Sequence, residues 1–488
     1  MNVRTIALVP LDERPVNVSL PREVARIGGA ELLLPPAAAL PRMRDGGDPE
    51  AIRRWLLDVA ADADAVIVSA DTLGYGGLIP SRTNDDSLAE ILGRLETVRR
   101  MSESRPDRPI RVMSTVMRAS DSYSSSEEPE YWSDHGRELH RLGAQEHEMF
   151  LRERSRLDAA ATVPVDVLRD FHERRLRNHI VNLSLVHGAA RGAFRELFLT
   201  ADDTAARAAG TLEQLWIDRW AEAPGIGGAT HSYPGADEVG AVLVARTLSA
   251  DAATPVRLSP AFASPGAAER IAPFENVPAR ITVERQIRAA GATSSAGADP
   301  DVVLIVHGPS GGAADEARTA AAVLVERALE EGRAVALADV WEPNGSDTAL
   351  TDLLAGRGLL GELLAYGGWN TAGNTIGGVV ATAVASVLSA RAGVDTAALR
   401  ERQLWHRIIE DDFYQSRVRT ELGGIGEYRE HFSLPFTDDV VAHRYRGAVA
   451  ERLVAAAAEM SGSRWEPFAF DFPWNRTFEI DFELRNVT

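Results

Sequence analysis

Apolar residues in this chain fall in short runs separated by stretches of helical periodicity. The runs 5-TIALVPL-11, 31-ELLLPP-36, 65-AVIVSAD-71, 110-IRVMSTVMR-118, 194-FRELFLTADD-203, 256-VRLSPAFA-263, 302-VVLIVHG-308 and 334-AVALADV-340 lack strict alternation. That pattern predicts strands covered on both faces. The segment from Leu363 to Tyr366 reads as a ninth strand or the end of a helix. Between the runs lie helical patterns such as 85-DDSLAEILGRLETVRRM-101, with Asp85 or Asp86 as cap, and 315-DEARTAAAVLVERALEEG-332. Strands alternating with helices predict a mainly parallel sheet of an α/β protein. About eight βα units suggest a (β/α)8-barrel-like domain or, alternatively, two Rossmann-like lobes. The expected division is an α/β domain over 1–376, with a helical insertion near 119–190, and a mainly helical C-terminal region over 377–488. The alternating tail 475-NRTFEIDFELRN-486 reads as a late strand.

Barrels and open parallel sheets both bind ligands at the C-terminal ends of their strands. Polar residues there are therefore the candidate site. The first strand runs into 11-LDERPVN-17, with Asp12, Glu13, Arg14 and Asn17. The third runs into 70-ADTLGYGGLIPSR-82, with Asp71, Tyr75 and Arg82. Arg118 ends the fourth strand, and Asp202 and Asp203 end the fifth. Further along come Asp237 and Glu238 in 230-THSYPGADEVG-240, and Asn344 after the strand that ends at Asp339. Each has a structural reading too: Asp12 paired with Arg14, Asp71 as a helix cap, Asp237 and Glu238 in a first helical turn. Two adjacent carboxylates at the end of a buried strand repel, so one should titrate high, which is how an acid and a base are made from one residue type. Asp202, Asp203 and Asp71 are thus the catalytic candidates, and Asp203 or Thr204 could equally cap a helix.

The stretch 363-LLAYGGWNTAGNTIGG-378 puts Trp369 beside Asn370, Thr371, Asn374 and Thr375. A flat apolar face with neutral donors and acceptors suits a hydroxyl- or amide-bearing ligand better than a phosphate, which favours Arg, Lys or a helix start. A glycine-rich helix-packing segment is the structural alternative. Sugar binding requires this stretch and the paired aspartates to meet around one hollow.

Composition narrows the classes. With 52 basic and 71 acidic residues the formal charge is −19, which argues against nucleic acid or an anionic membrane as partner. There is no cysteine, so disulfides, thiolate nucleophiles and Cys-based metal sites are absent. His187, His231 and His307 show no HExxH-type spacing, and no metal or cofactor is expected from the spacing. No apolar leader-like run and no run near the roughly 20 apolar residues of a membrane helix stands out, so a cytoplasmic protein is expected.

The segments PLDERPVN, SADTLGYGGLIPSR, LFLTADD, YPGADEVG, FENVP and YGGWNTAGNTIGG, in that order from about residue 5 to beyond 378, resemble the bacterial domain-of-unknown-function family 4127. The resemblance implies one shared site without naming its activity. Asp202–Asp203 is also similar to the adjacent aspartates of substrate-assisted N-acetylhexosaminidases of the O-GlcNAcase type. That likeness implies that Asp202 orients an acetamido group and Asp203 is the general acid/base, although here the pair ends the fifth strand rather than the fourth. THSYPGADEVG is faintly similar to a segment of microcystinase-C-like metallohydrolases, with Gly235 where a metal-binding histidine would follow Pro234. The expectation is a glycoside hydrolase or related carbohydrate-active enzyme. One alternative is a divalent-metal-dependent hydrolase or lyase using Asp202, Asp203, Asp237, Glu238 and His231 or His307. Another is a non-catalytic small-molecule binding protein.

Overall fold

All eight apolar runs contain strands in the structure, a computed structural model describing residues 4–487 other than 226, 296, 298, 310, 433 and 463. One sheet holds β1 (Arg4–Val9), β2 (Ala30–Leu33), β3 (Ala65–Ser69), β4 (Ile110–Val116), β5 (Glu196–Ala201) and β6 (Thr230–Pro234). Its order is β2-β1-β3-β4-β5-β6, and every neighbouring pair is parallel. A second sheet holds β7 (Arg257–Phe262), β8 (Thr293–Ser294), β9 (Val302–His307), β10 (Ala334–Asp339) and β11 (Ala365–Gly367). Its order is β11-β10-β9-β7-β8, again parallel throughout. A hairpin of β12 (Trp465–Asp471) and β13 (Asp481–Asn486) ends the chain.

The architecture is α/β with mainly parallel sheets, but the described strands form no closed barrel. A barrel adds strands in one direction until the last meets the first. Here the chain lays β2 on one side of β1 and β3 on the other, and repeats the reversal with β8 and β9 around β7. Both sheets therefore share the doubly wound 2-1-3-4-5 order, the first with a sixth strand added.

Chain contacts divide the protein into two compact units whose bounds differ from those expected. Unit 1 comprises 1–13, 30–244 and 271–277; unit 2 comprises 14–29, 245–270 and 278–488. Unit 1 packs around Val9, Val66, Val68, Leu95, Val112, Leu197 and Leu199, and unit 2 around Ile305, Leu337, Leu404, Tyr414, Tyr445 and Leu453. The insertion is two long helices, Trp132–Phe150 and Val165–Ala190, with a small core of their own that includes Trp132, Leu139 and Phe171. Ser87, not Asp85 or Asp86, caps the helix Leu88–Ser104: its hydroxyl accepts from the Glu90 amide while Glu90 accepts from the Ser87 amide, a reciprocal box.

Beyond 377 helices dominate, and the tail contributes a strand only from Asp481. The helix Ala372–Arg391 is long and apolar enough to cross a membrane by length and composition, contrary to the reading of the sequence. It is a core helix, with 78% of its most apolar window buried inside the protein. Three strands escaped the sequence pattern. β6 opens on polar Thr230, His231 and Ser232, β8 has two residues, and β12 carries a proline, Pro467, near its start.

Candidate functional site

In unit 1 the segment after β3 builds the centre of the candidate site. Ser69 accepts from the Thr72 amide and caps the short helix Ala70–Tyr75, so Asp71 is not the cap. Gly76 ends that helix at φ 89 and Gly77 follows at φ 143, where an added Cβ would sit 2.8 Å from Pro41. The double glycine thus permits both the turn and the close approach. The chain then re-enters a helix, Leu78–Thr83, whose last turn carries Arg82. The Thr72 hydroxyl donates to the Pro10 and Leu11 carbonyls at 2.7 Å, tying this segment to the end of β1.

Asp71 projects to the end of β4. Its carboxylate accepts from the Thr115 hydroxyl at 2.8 Å and the Thr115 amide at 3.1 Å. Burial raises the carboxyl to about 7, against the hydrogen bonds from Thr115 and with a contribution from Asp202. Tyr75 is also buried, with the Arg177 guanidinium 5.3 Å from its ring centroid, and burial followed by Asp71 pushes its hydroxyl well up.

Two arginines organise the acids. Arg82, 1% exposed, bonds Asp202 and approaches Glu127 at 3.5 Å and Glu128 at 3.9 Å. Arg118 meets Asp203 at 2.6 Å, Glu128 at 2.8 Å and Glu127 at 3.0 Å. The aspartates that close β5 thus share one network but have different partners. Asp202 is locked against Arg82 with 10% of its side chain exposed, whereas 29% of the Asp203 side chain is exposed. Asp203 also holds a φ of 26°, a left-handed backbone unusual for a residue with a Cβ. Burial raises its carboxyl to about 6, Arg118 opposes, and Asp202 adds to the rise.

Other candidates in unit 1 have clearer structural duties. Glu13 accepts from the Met43 amide at 3.2 Å. Glu238, fully buried, folds back to accept from the Ala236 amide at 3.0 Å, over Gly235 at φ 141. Asp12 and Asp237 are buried.

The remaining candidates belong to unit 2. Arg14 pairs with Glu479 at 2.9 Å and lies 4.7 Å from the Trp474 ring centroid. Asn17 is buried in the helix Pro15–Ile27. The Trp369 stretch spends its neutral groups on itself: Asn370 Oδ1 accepts from the Thr371 amide at 2.7 Å and from Asn374 at 2.9 Å, and the Thr375 hydroxyl donates to the Trp369 carbonyl at 2.6 Å. Trp369 is 3% exposed and packs against Phe478 at 5.6 Å. The cavity beside it has about 30 Å³, room for about two waters and not for a sugar ring. The stretch is a loop entering the helix Ala372–Arg391, as the structural alternative anticipated. Asn344, at φ 60, donates its amide to the Asn370 carbonyl at 3.1 Å.

The hollow expected to join the paired aspartates to this stretch has its parts in different units: the aspartates belong to unit 1, the stretch to unit 2. Of the histidines named for a metal, His231 lies near the opening of β6, stacked on Phe198 at 4.4 Å. His307 ends β9 in unit 2, 3.0 Å from Asp347. Among the described residues no group of three or more His, Asp or Glu side chains is placed to hold a metal ion.

Reading the sequence missed Glu127, Glu128 and Thr115 in unit 1. It also missed the buried run Glu410-Asp411-Asp412 in unit 2. These acids sit on a π-helix, Ile408–Val418, braced by Arg407 on Glu410 at 2.9 Å and Arg417 on Asp412 at 3.0 Å. Asp411 also accepts from the Gly368 amide at 2.8 Å, fixing the loop before Trp369. Three acids in succession inside an apolar helical stretch were the available signal.

A family model described as "Protein of unknown function (DUF4127)" matches residues 6–483. The chain belongs to the DUF4127 family. No curated protein matches it significantly. Every strand of this DUF4127 protein lies within the matched span apart from the ends of β1 and β13, so the family embraces both units.

Proposed function

We propose that this DUF4127 protein is a glycoside hydrolase or closely related carbohydrate-active enzyme whose proton-transferring group is Asp203 in unit 1. One observation carries the reading: Asp203 combines a partly open side chain, a strained backbone and a carboxyl raised to about 6, all beside a neighbour locked by Arg82. Asp203 is the most exposed carboxyl of this network, and its neighbour Asp202 is held by Arg82, which favours cleavage assisted by a 2-acetamido group over a mechanism needing two protein carboxylates, one on each side of the bond. In that reaction the acetamido oxygen attacks the anomeric carbon while the glycosidic bond breaks. Asp203 gives its proton to the departing oxygen and takes one back from the water that opens the cyclic intermediate. Asp202, held by Arg82, orients the acetamido group. A cytoplasmic setting fits the cysteine-free chain.

The test is turnover of a panel of aryl glycosides with and without 2-acetamido groups. The wild type should cleave at least one 2-acetamido substrate, with activity falling as pH rises past about 6, where Asp203 loses its proton. Asp203→Asn should lower kcat by about 10²–10⁴ while the fold is retained. No turnover by the wild type, or an Asp203→Asn variant that keeps pace with it, refutes the assignment.

A further inference from the structure

We propose that unit 2 carries a second, separate binding site, one for a small organic anion whose carboxylate or phosphate group is taken by Arg419, Arg476 and His431. These side chains line a cavity of about 400 Å³ together with Asn344, Phe432 and Phe478. Among the described residues no acidic side chain lines it, in a chain of formal charge −19. Asn344 belongs to the loop after β10, so the cavity lies where open parallel sheets receive ligands, beyond the C-terminal end of a strand.

Arg419 is the strongest indication. It is 6% exposed, and its polar contacts are the Phe432 carbonyl at 2.9 Å and the Thr477 hydroxyl at 3.4 Å. Among the described residues no carboxylate lies within ion-pair distance of it. A buried guanidinium without a counter-charge is costly, and a bound anion offsets that cost. Its plane is held over the Phe432 ring at 4.0 Å, an arrangement that fixes the group without neutralising it. His431, 4% exposed, has a buried Nδ1 with no hydrogen-bond partner, while its Nε2 lies 3.5 Å from the exposed Glu430 carboxylate. Arg476 is held by Trp474 at 4.3 Å and Phe478 at 4.9 Å; it stands 3.7 Å from Glu479, a carboxylate already engaged by Arg14 at 2.9 Å. The backbone before Arg476 is left-handed at Trp474 (φ 57) and Asn475 (φ 53), strain of the kind that sets a side chain at a functional position.

The chemistry is that of oxyanion recognition by planar forks. The volume exceeds what a bare ion fills, and the two phenyl rings wall an organic body. This site is independent of the carbohydrate reading of unit 1 and survives its failure.

Isothermal titration of the full chain at low ionic strength, with inorganic phosphate and with citrate as probes, tests the proposal. At least one probe should bind saturably, one per chain, more weakly as salt is added. Tighter phosphate identifies a phosphorylated ligand, tighter citrate a carboxylate. Arg419→Gln and Arg476→Gln should each weaken binding by about tenfold or more, with Arg419→Lys intermediate because it keeps the charge and loses the fork. Circular dichroism checks each fold, and if Arg419→Gln does not fold, Arg476→Gln decides. Failure of both probes to saturate by roughly 10 mM, or folded variants that bind as the wild type does, overturns the proposal.

Discussion

At the ends of β3, β4 and β5 in unit 1, the carboxylates of Glu127, Glu128, Asp202 and Asp203 gather around Arg82 and Arg118, and Asp71 lies close enough to Asp202 to feel its charge. In unit 2 the cavity at the β10 loop gathers two arginines and a histidine with, among the described residues, no carboxylate in its wall. The sheets beneath share one strand order. What differs is the connections: in unit 1 they supply more acid than base and leave protons to be held by burial, and in unit 2 they supply guanidiniums braced by aromatic rings. A common scaffold therefore sets where chemistry occurs and says nothing of its sign.

Arginine deletions in the two units should expose that contrast most strongly. Arg82→Met strands Asp202 and its neighbours in a buried site and should destabilise unit 1 by roughly 3–5 kcal/mol in urea unfolding. Arg419→Met removes a buried charge that no carboxylate among the described residues balances and should change stability by less than about 1 kcal/mol, in either direction. Equal costs would break the comparison.

A second effect is pH-dependent. The folded-state carboxyl of Asp71 lies above its unfolded value, so its protonated form is favoured in the fold. The stability this contributes is complete below about 4 and lost as pH rises through about 7. Asp71→Asn should therefore gain on the wild type by roughly 3 kcal/mol between those limits, read from denaturation midpoints across pH. A difference independent of pH would show that Asp71 is not protonated in the fold.

The smallest effect tests the neutral loop of unit 2. Thr375→Val removes the hydroxyl that donates to the Trp369 carbonyl and should cost about 1 kcal/mol in thermal or urea unfolding, without the pH dependence of the acid site. A loss that varied with pH would mean that the loop is coupled to the acids at Asp411 and Glu410.

Much of this was legible in the chain itself. Unbroken apolar runs such as AVIVSAD could only be strands buried on both faces, and their alternation with helices required parallel pairing. The rule that ligands meet strand ends led directly to Asp71, Arg82, Arg118, Asp202 and Asp203, because a charged residue ending a buried strand has few other places to be. The Trp369 stretch misled for an instructive reason: Asn370, Asn374 and Thr375 look like groups awaiting a ligand until the turn that makes them partners of one another is known. Arg419 and Arg476 could not be singled out, since nothing local distinguishes an arginine beside an aromatic ring in a cavity from one on a surface.

Sequence alone determined the α/β class and the positions of most of its strands, because burial on two faces and helical periodicity are local patterns. Only the tertiary structure decided that the strands form two open sheets rather than a barrel, since strand order depends on which edge each crossover reaches. It also decided which acids share an arginine and which arginine has no acid among the described residues. Those pairings join residues as far apart as Arg82 and Asp202, and the free energy of a buried charge is set by what surrounds it in space.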